Sequence, residues 1–293
     1  MQFGLGRVAL ATVLALSLSD RAAVALDMAV GDVTVANLGD FGFDVQGTDS
    51  PALENGELTF DGGVTDDLFQ MFGYLGTASG HVRIDSTNFN VSSAISQVGN
   101  SAISQLTLSA AGATALGLTT AAITVDYTFT LIDDTSAADS DGLGWQIDLT
   151  NNTASAITLS VYTYVDLDLA GTWADDSAVT DLSRMFVQDD AIATSFFVWD
   201  VVDAAGADRF QVGDYPTVRT ALDNMTSNQD LSNGLAVFGP SDFSGAYQFN
   251  RTLAAGGTTS VNLNTAIIPE PQPAVLTGLG LVGLAFYGRR RHS

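Results

Sequence analysis

The chain has 293 residues, 33 of them acidic and ten basic, for a net charge of −23, and it has no cysteine. That length allows one large domain or two small ones, and a hydrophobic content of 46% is enough to bury a sizeable core. The charge disfavours nucleic acid and anionic lipid surfaces as partners, while the missing cysteine excludes disulfides, thiolate metal sites and cysteine nucleophiles.

All ten basic residues are arginine, and 30 of the 33 acids are aspartate. Aspartate suits turns, where its short side chain bonds nearby backbone, and glutamate suits helices, so the composition predicts a domain poor in helix. In chain order, Arg7 flanks an apolar run over 8–18, and Ala23-Val24-Ala25 follows as a small-x-small cleavage site. This is the layout of a secretory signal peptide over 1–25, with cleavage after Ala25. The stretch "ELTFDGG" then reads as strand and turn. "SAISQ" occurs twice, at 93–97 and 101–105, too few copies for a repeat architecture. In "AAITVDYTFTLID", Ile123, Val125, Tyr127, Phe129 and Leu131 alternate with polar residues, and in "GWQIDLTNN" so do Trp145, Ile147 and Leu149. Period-two alternation marks strands with one face on a core and one in water. The intervening "DDTSAADSDG" has Asp133, Asp134, Asp139 and Asp141 but not the spacing of a helix-loop-helix calcium site, so a hairpin loop is expected. "AITLSVYTYVDLDLAG" puts Ile157, Leu159, Val161, Val165, Leu167 and Leu169 on one side. "PTVRTALDNM" places Val218, Ala221, Leu222 and Met225 at helical spacing behind Pro216, which predicts one short helix near 216–225. "TTSVNLNTAI" returns to strand with Val261, Leu263 and Thr265. Many short antiparallel strands with turn punctuation predict an all-β fold, an antiparallel β-sandwich filling 26–268. A split near 110–120 is the alternative to one domain.

The segment "YTYVDLDLAGTWADD" carries the candidate site. If 157–169 is a strand, Tyr162, Tyr164, Asp166 and Asp168 share the face opposite the core, with the two carboxylates about 7 Å apart. Trp173, Asp175 and Asp176 follow in the loop. Three readings stay open. Asp166, Asp168, Asp175 and Asp176 could hold Ca²⁺, which takes six to eight oxygen ligands. Tyr162, Tyr164 and Trp173 could stack on a sugar. Or the face is simply the solvated outside of an acidic protein. Between the two ends His81 is the single histidine, and no G-x-S-x-G, H-E-x-x-H or phosphate loop is present. A glycosidase needs two carboxylates across a sugar, but with 30 aspartates chance pairs are certain.

The chain ends in Pro269-Glu270-Pro271, an uncharged run over 274–288 and Arg289-Arg290-Arg291. As a helix that run would span about 22 Å, against a hydrocarbon core of about 30 Å. It reads as a temporary anchor, with the arginines on the cytoplasmic side. These three parts, in this order, resemble the PEP-CTERM sorting signal of Gram-negative bacteria over residues 269–293. The resemblance implies recognition by a membrane-embedded exosortase, cleavage near Pro-Glu-Pro, and release to the surface or an extracellular matrix. The sequence thus leads to an exported, non-catalytic surface or matrix protein. It would meet the secretion machinery and an exosortase first, and extracellular polysaccharide afterwards. A Ca²⁺-assisted glycan-binding module, and then a polysaccharide hydrolase, are the alternatives.

Overall fold

The computed structural model describes residues 26–30, 33–44, 57–59, 68–132, 141–169, 174–189, 195–203, 206–234 and 236–269. The expected signal peptide, with Ala25, lies outside them, and so do Glu270, Pro271, the apolar run and Arg289, Arg290 and Arg291. Among the described residues no helix is long and apolar enough to cross a membrane.

The architecture is an antiparallel β-sandwich, as the alternation predicts. Its larger sheet has nine strands in the order β16 (Val237–Ser241), β12 (Asp176–Thr180), β13 (Arg184–Asp189), β14 (Ser195–Val201), β18 (Thr258–Pro269), β10 (Asp141–Asn151), β9 (Ile123–Ile132), β8 (Ser101–Leu108) and β7 (Phe89–Val98). The smaller sheet runs β15 (Arg209–Asp214), β17 (Phe243–Leu253), β11 (Ile157–Leu167), β5 (Leu68–Thr77) and β3 (Phe43–Asp44), with β6 (Gly80–Arg83) also pairing β5. A third, three-stranded sheet joins β1 (Leu26–Val30), β2 (Val33–Leu38) and β4 (Glu57–Thr59).

Strands β9 and β10 show why alternation builds this fold. Ile123, Val125, Tyr127, Phe129 and Leu131 are buried while Thr124, Asp126, Thr128 and Thr130 are half-exposed. The pair is in register from Gly142↔Ile132 to Asn151↔Ile123, so the predicted hairpin forms, although residues 133–140 lie outside the described set. Rings from the two large sheets meet between them. Phe43 stands edge-on to Phe129 at 5.6 Å, and Trp199 packs on Tyr247 at 5.2 Å. Gly73 admits this closeness, since a Cβ there would lie 2.7 Å from the Tyr127 hydroxyl.

Two segments sharpen the sequence reading. The two "SAISQ" copies are the facing arms of the β7–β8 hairpin, with Ser93 opposite Gln105 and Gln97 opposite Ala102. Their two-residue turn uses Gly99 at φ 63°, which a glycine adopts without strain. At the alternative domain split stands a helix, α1 (Ala110–Leu116), capped by the Ser109 hydroxyl accepting from Gly112 N–H at 3.2 Å and closed by Gly117 in the left-handed region. Residues before and after it enter the same core. The expected short helix is α2 (Thr217–Asp223), with Val218 and Leu222 buried one turn apart.

Candidate functional site

Strand β11 departs from simple alternation. Its core side behaves as expected, with Leu159, Val161, Val165 and Leu167 buried. Its other side is buried as well: Tyr162, Tyr164 and Asp166 are each 0% exposed. This corrects the expectation of an open Tyr/Asp face. The cover is α2 together with the segment after it. Val218, Leu222 and Leu231 pack on Phe72, Tyr74, Tyr162, Tyr164 and Ala246 in a second apolar cluster, with Met225 beside them. The cover is pinned by Asn228 N–H donating to Thr77 O at 2.8 Å and Leu231 N–H donating to Gln248 Oε1 at 2.8 Å. The Tyr162 hydroxyl donates to Gln229 O at 2.8 Å, so its polar end is spent on the cover too. Tyr162 and Tyr164 therefore present no ring to a sugar as they stand, and Trp173 lies outside the described residues.

The covered face is an aromatic row with charges set into it. Phe72 lies 5.1 Å from Tyr164 and 5.6 Å from Tyr74. His81 stacks on Tyr74 at 5.2 Å and meets Tyr162 edge-on at 5.1 Å, and its burial pushes the imidazole down to about 4. The guanidinium of Arg83 sits 3.8 Å from the centre of the Phe72 ring. Arg219 donates to Gln70 Oε1 at 3.0 Å and lies 3.5 Å from Asp223, which also accepts from the Tyr74 hydroxyl at 2.7 Å.

At the end of this row the sheet turns acidic. Asp166 pairs with Ser244 of β17, which places it beside Asp242, just ahead of that strand. One carboxylate oxygen from each of Asp166, Asp168 and Asp242 lies within 4.8 Å of the others. Asp168 and Asp242 are half-buried. The Tyr164 hydroxyl donates to Asp166 Oδ2 at 3.3 Å. Burial, then the like charges of Asp168 and Asp242, push Asp166 up to about 8. Burial and Asp214 push Asp242 up to about 6. Asp175 and Asp176 are not part of this converging group. Asp176 is buried at the start of β12, opposite Ser241. Asp242 was missed by sequence reasoning, because only the β11–β17 register brings "GPSDF" beside "YVDLD".

The opposite surface is open. On the outer face of the larger sheet, Ser101, Thr130, Gly144 and Asn264 lie in one cross-strand row, and Ile103, Thr128, Gln146 and Asn262 in the next. Gly144 leaves a depression of about 200 Å³ bordered by Thr128, Thr130, Gln146, Asn262 and Asn264 together with the exposed Ile132. Side chains here bond one another: Ser101 with Thr130 at 2.8 Å, Gln105 to Asp126 at 2.7 Å, Gln146 to Asp148 at 2.7 Å, and Ser260 to Asp148.

No family model and no curated protein matches the chain. Among solved structures, it superposes on a bacterial glucoamylase in complex with acarbose at a TM-score of 0.50 and 9% identity, over 86% of this chain and 32% of that one. A putative aldose 1-epimerase from Escherichia coli K12 aligns at a TM-score of 0.49 and 8% identity, over 84% of this chain and 99% of that one. The chain thus spans about a third of the glucoamylase, and at this identity the likeness establishes a shared β-fold alone.

Proposed function

We propose that the chain is an exported, non-catalytic surface or matrix protein that adheres to neutral extracellular polysaccharide through the outer face of its nine-stranded sheet. The observation that carries this reading is the open lattice of hydroxyls and amides around Gly144. Sugars are recognised by many aligned donors and acceptors, and neighbouring strands present them about 4.8 Å apart. Thr128, Gln146 and Asn262 supply both kinds of group without a formal charge. His81, the histidine available as a general base, is wedged between Tyr74 and Tyr162, which favours a structural role for it.

The export part of the reading rests on the two ends of the sequence. A cut after Pro269 would leave all the described strands uncut. Intact mass of the protein recovered from surface and medium tests this part: a chain from about Leu26 to about Pro269 supports it, and a membrane form that keeps Arg289, Arg290 and Arg291 refutes it. Adhesion is tested by co-sedimentation with insoluble polysaccharide from the producing cells. The triple variant Thr128→Ala, Gln146→Ala, Asn262→Ala should bind at least about tenfold more weakly while melting as the wild type does, since each lost hydrogen bond is worth about 1 kcal/mol. Equal binding by wild type and variant would remove the proposed face.

A further inference from the structure

We propose that Asp166, Asp168 and Asp242 form a binding site for a hard divalent cation of the size of Ca²⁺, tying the end of β11 to the start of β17. The site is independent of the polysaccharide reading and lies away from the open face.

The three donors are all carboxylate oxygens, with no imidazole and no thiolate, a set that selects Ca²⁺ or Mg²⁺ over zinc or copper. Their oxygens already lie within 4.8 Å of one another. Ligands on one Ca²⁺ at 2.3–2.6 Å are at most about 5 Å apart, so the three can share an ion without moving the strands. Mg²⁺ demands a near-ideal octahedron at about 2.0–2.1 Å and gives up its water reluctantly, so three protein carboxylates on one ion suit the more adaptable Ca²⁺.

Acidic groups cluster on many protein surfaces without binding anything. What sets this group apart is Asp166, which is 0% exposed and whose Oδ1 accepts no hydrogen bond. Its other oxygen receives one long bond from the Tyr164 hydroxyl at 3.3 Å. A carboxylate oxygen taken out of water without a donor carries its full desolvation cost. Nearby Arg219 is engaged with Gln70 and Asp223. A cation between the three carboxylates would give Asp166 Oδ1 the partner it lacks.

The sheet register explains why this place can act as a clip. Asp166 is the last β11 residue paired with β17, opposite Ser244, and Asp242 stands two residues before that partner. Asp168 follows the end of β11. An ion here would join three carboxylates where the β11–β17 ladder ends.

The test uses the full chain, stripped with EDTA and titrated with CaCl₂ alone. Calorimetry should show one ion per chain, and the melting temperature should rise by about 5 °C or more at a hundredfold excess over Kd. Asp242→Asn and Asp168→Asn sit at half-buried positions, so they should fold, and each should weaken Ca²⁺ at least about tenfold. Asp166→Asn should melt higher than the EDTA-treated wild type and lose its response to Ca²⁺. No heat of binding and no melting shift in the wild type would overturn the proposal. So would a Ca²⁺ response in Asp242→Asn equal to that of the wild type, because the ion would then sit elsewhere.

Discussion

The two large sheets of this protein obey the same period-two rule and end in different states. On β9 the residues facing away from the core are Thr124, Asp126, Thr128 and Thr130, and they remain half-exposed. On β11 the corresponding residues are Ser160, Tyr162, Tyr164 and Asp166, and all are buried. The difference lies in what the far face offers a second layer. Threonine and aspartate are satisfied by water and by neighbours such as Gln105. A row of Phe72, Tyr74, Tyr162 and Tyr164 has apolar area to bury, and α2 supplies the matching stripe of Val218 and Leu222. The same alternation therefore yields a working surface on one sheet and an interior on the other.

Substitutions on the two faces test this contrast. The largest effect is expected from Tyr164→Ala, which empties the covered face and should cost about 3–5 kcal/mol in urea unfolding. Leu222→Ala removes the cover from the other side and should cost about 2–4 kcal/mol by the same measurement. If either lies within the error of wild type, the cover does not stabilise the sheet. A third test uses pH. His81 titrates at about 4 when folded and near its ordinary 6.5 when unfolded. Between those values the unfolded chain binds the proton and the folded one does not, so stability falls as pH drops from 6.5 toward 4. The loss should reach about 2 kcal/mol by pH 5, measured as the difference between wild type and His81→Phe, which keeps a ring between Tyr74 and Tyr162. A difference that stays constant from pH 7 to pH 5 would show that the cover does not exclude water from the imidazole. The smallest effect belongs to the open face, where Thr128→Ala should stay within about 0.5 kcal/mol of wild type. A larger loss there would mean that the face is structural rather than a free surface.

Much of the architecture is written in local pattern. The alternation at Ile123–Ile132 and 142–151 marks both strands and their buried sides, because side chains on a strand point to opposite faces. The helical spacing of Val218 and Leu222 behind Pro216 marks α2 for the same kind of reason. Helix α1 was harder to read, since "AAGATAL" has no strong stripe, and its start depends on one serine cap. The candidate site was half legible. Asp166 and Asp168 sit two apart in the sequence, one in β11 and the other just past its end, so their proximity follows from local spacing. Asp242 lies over seventy residues away in the chain and reaches them only through strand pairing.

What the amino-acid order determined by itself is thus the strands, their turns, and which side of each strand is apolar, because these depend on neighbours within a few residues. It also carries the two terminal segments that read as export and sorting signals. Only the tertiary structure decided that β18 is inserted between β14 and β10, that α2 lies over the tyrosines, and that Asp242 joins Asp166. Those outcomes depend on which strands pair and on where apolar area remains to be covered. A single strand's pattern holds neither piece of information, because both belong to surfaces formed by segments far apart in the chain.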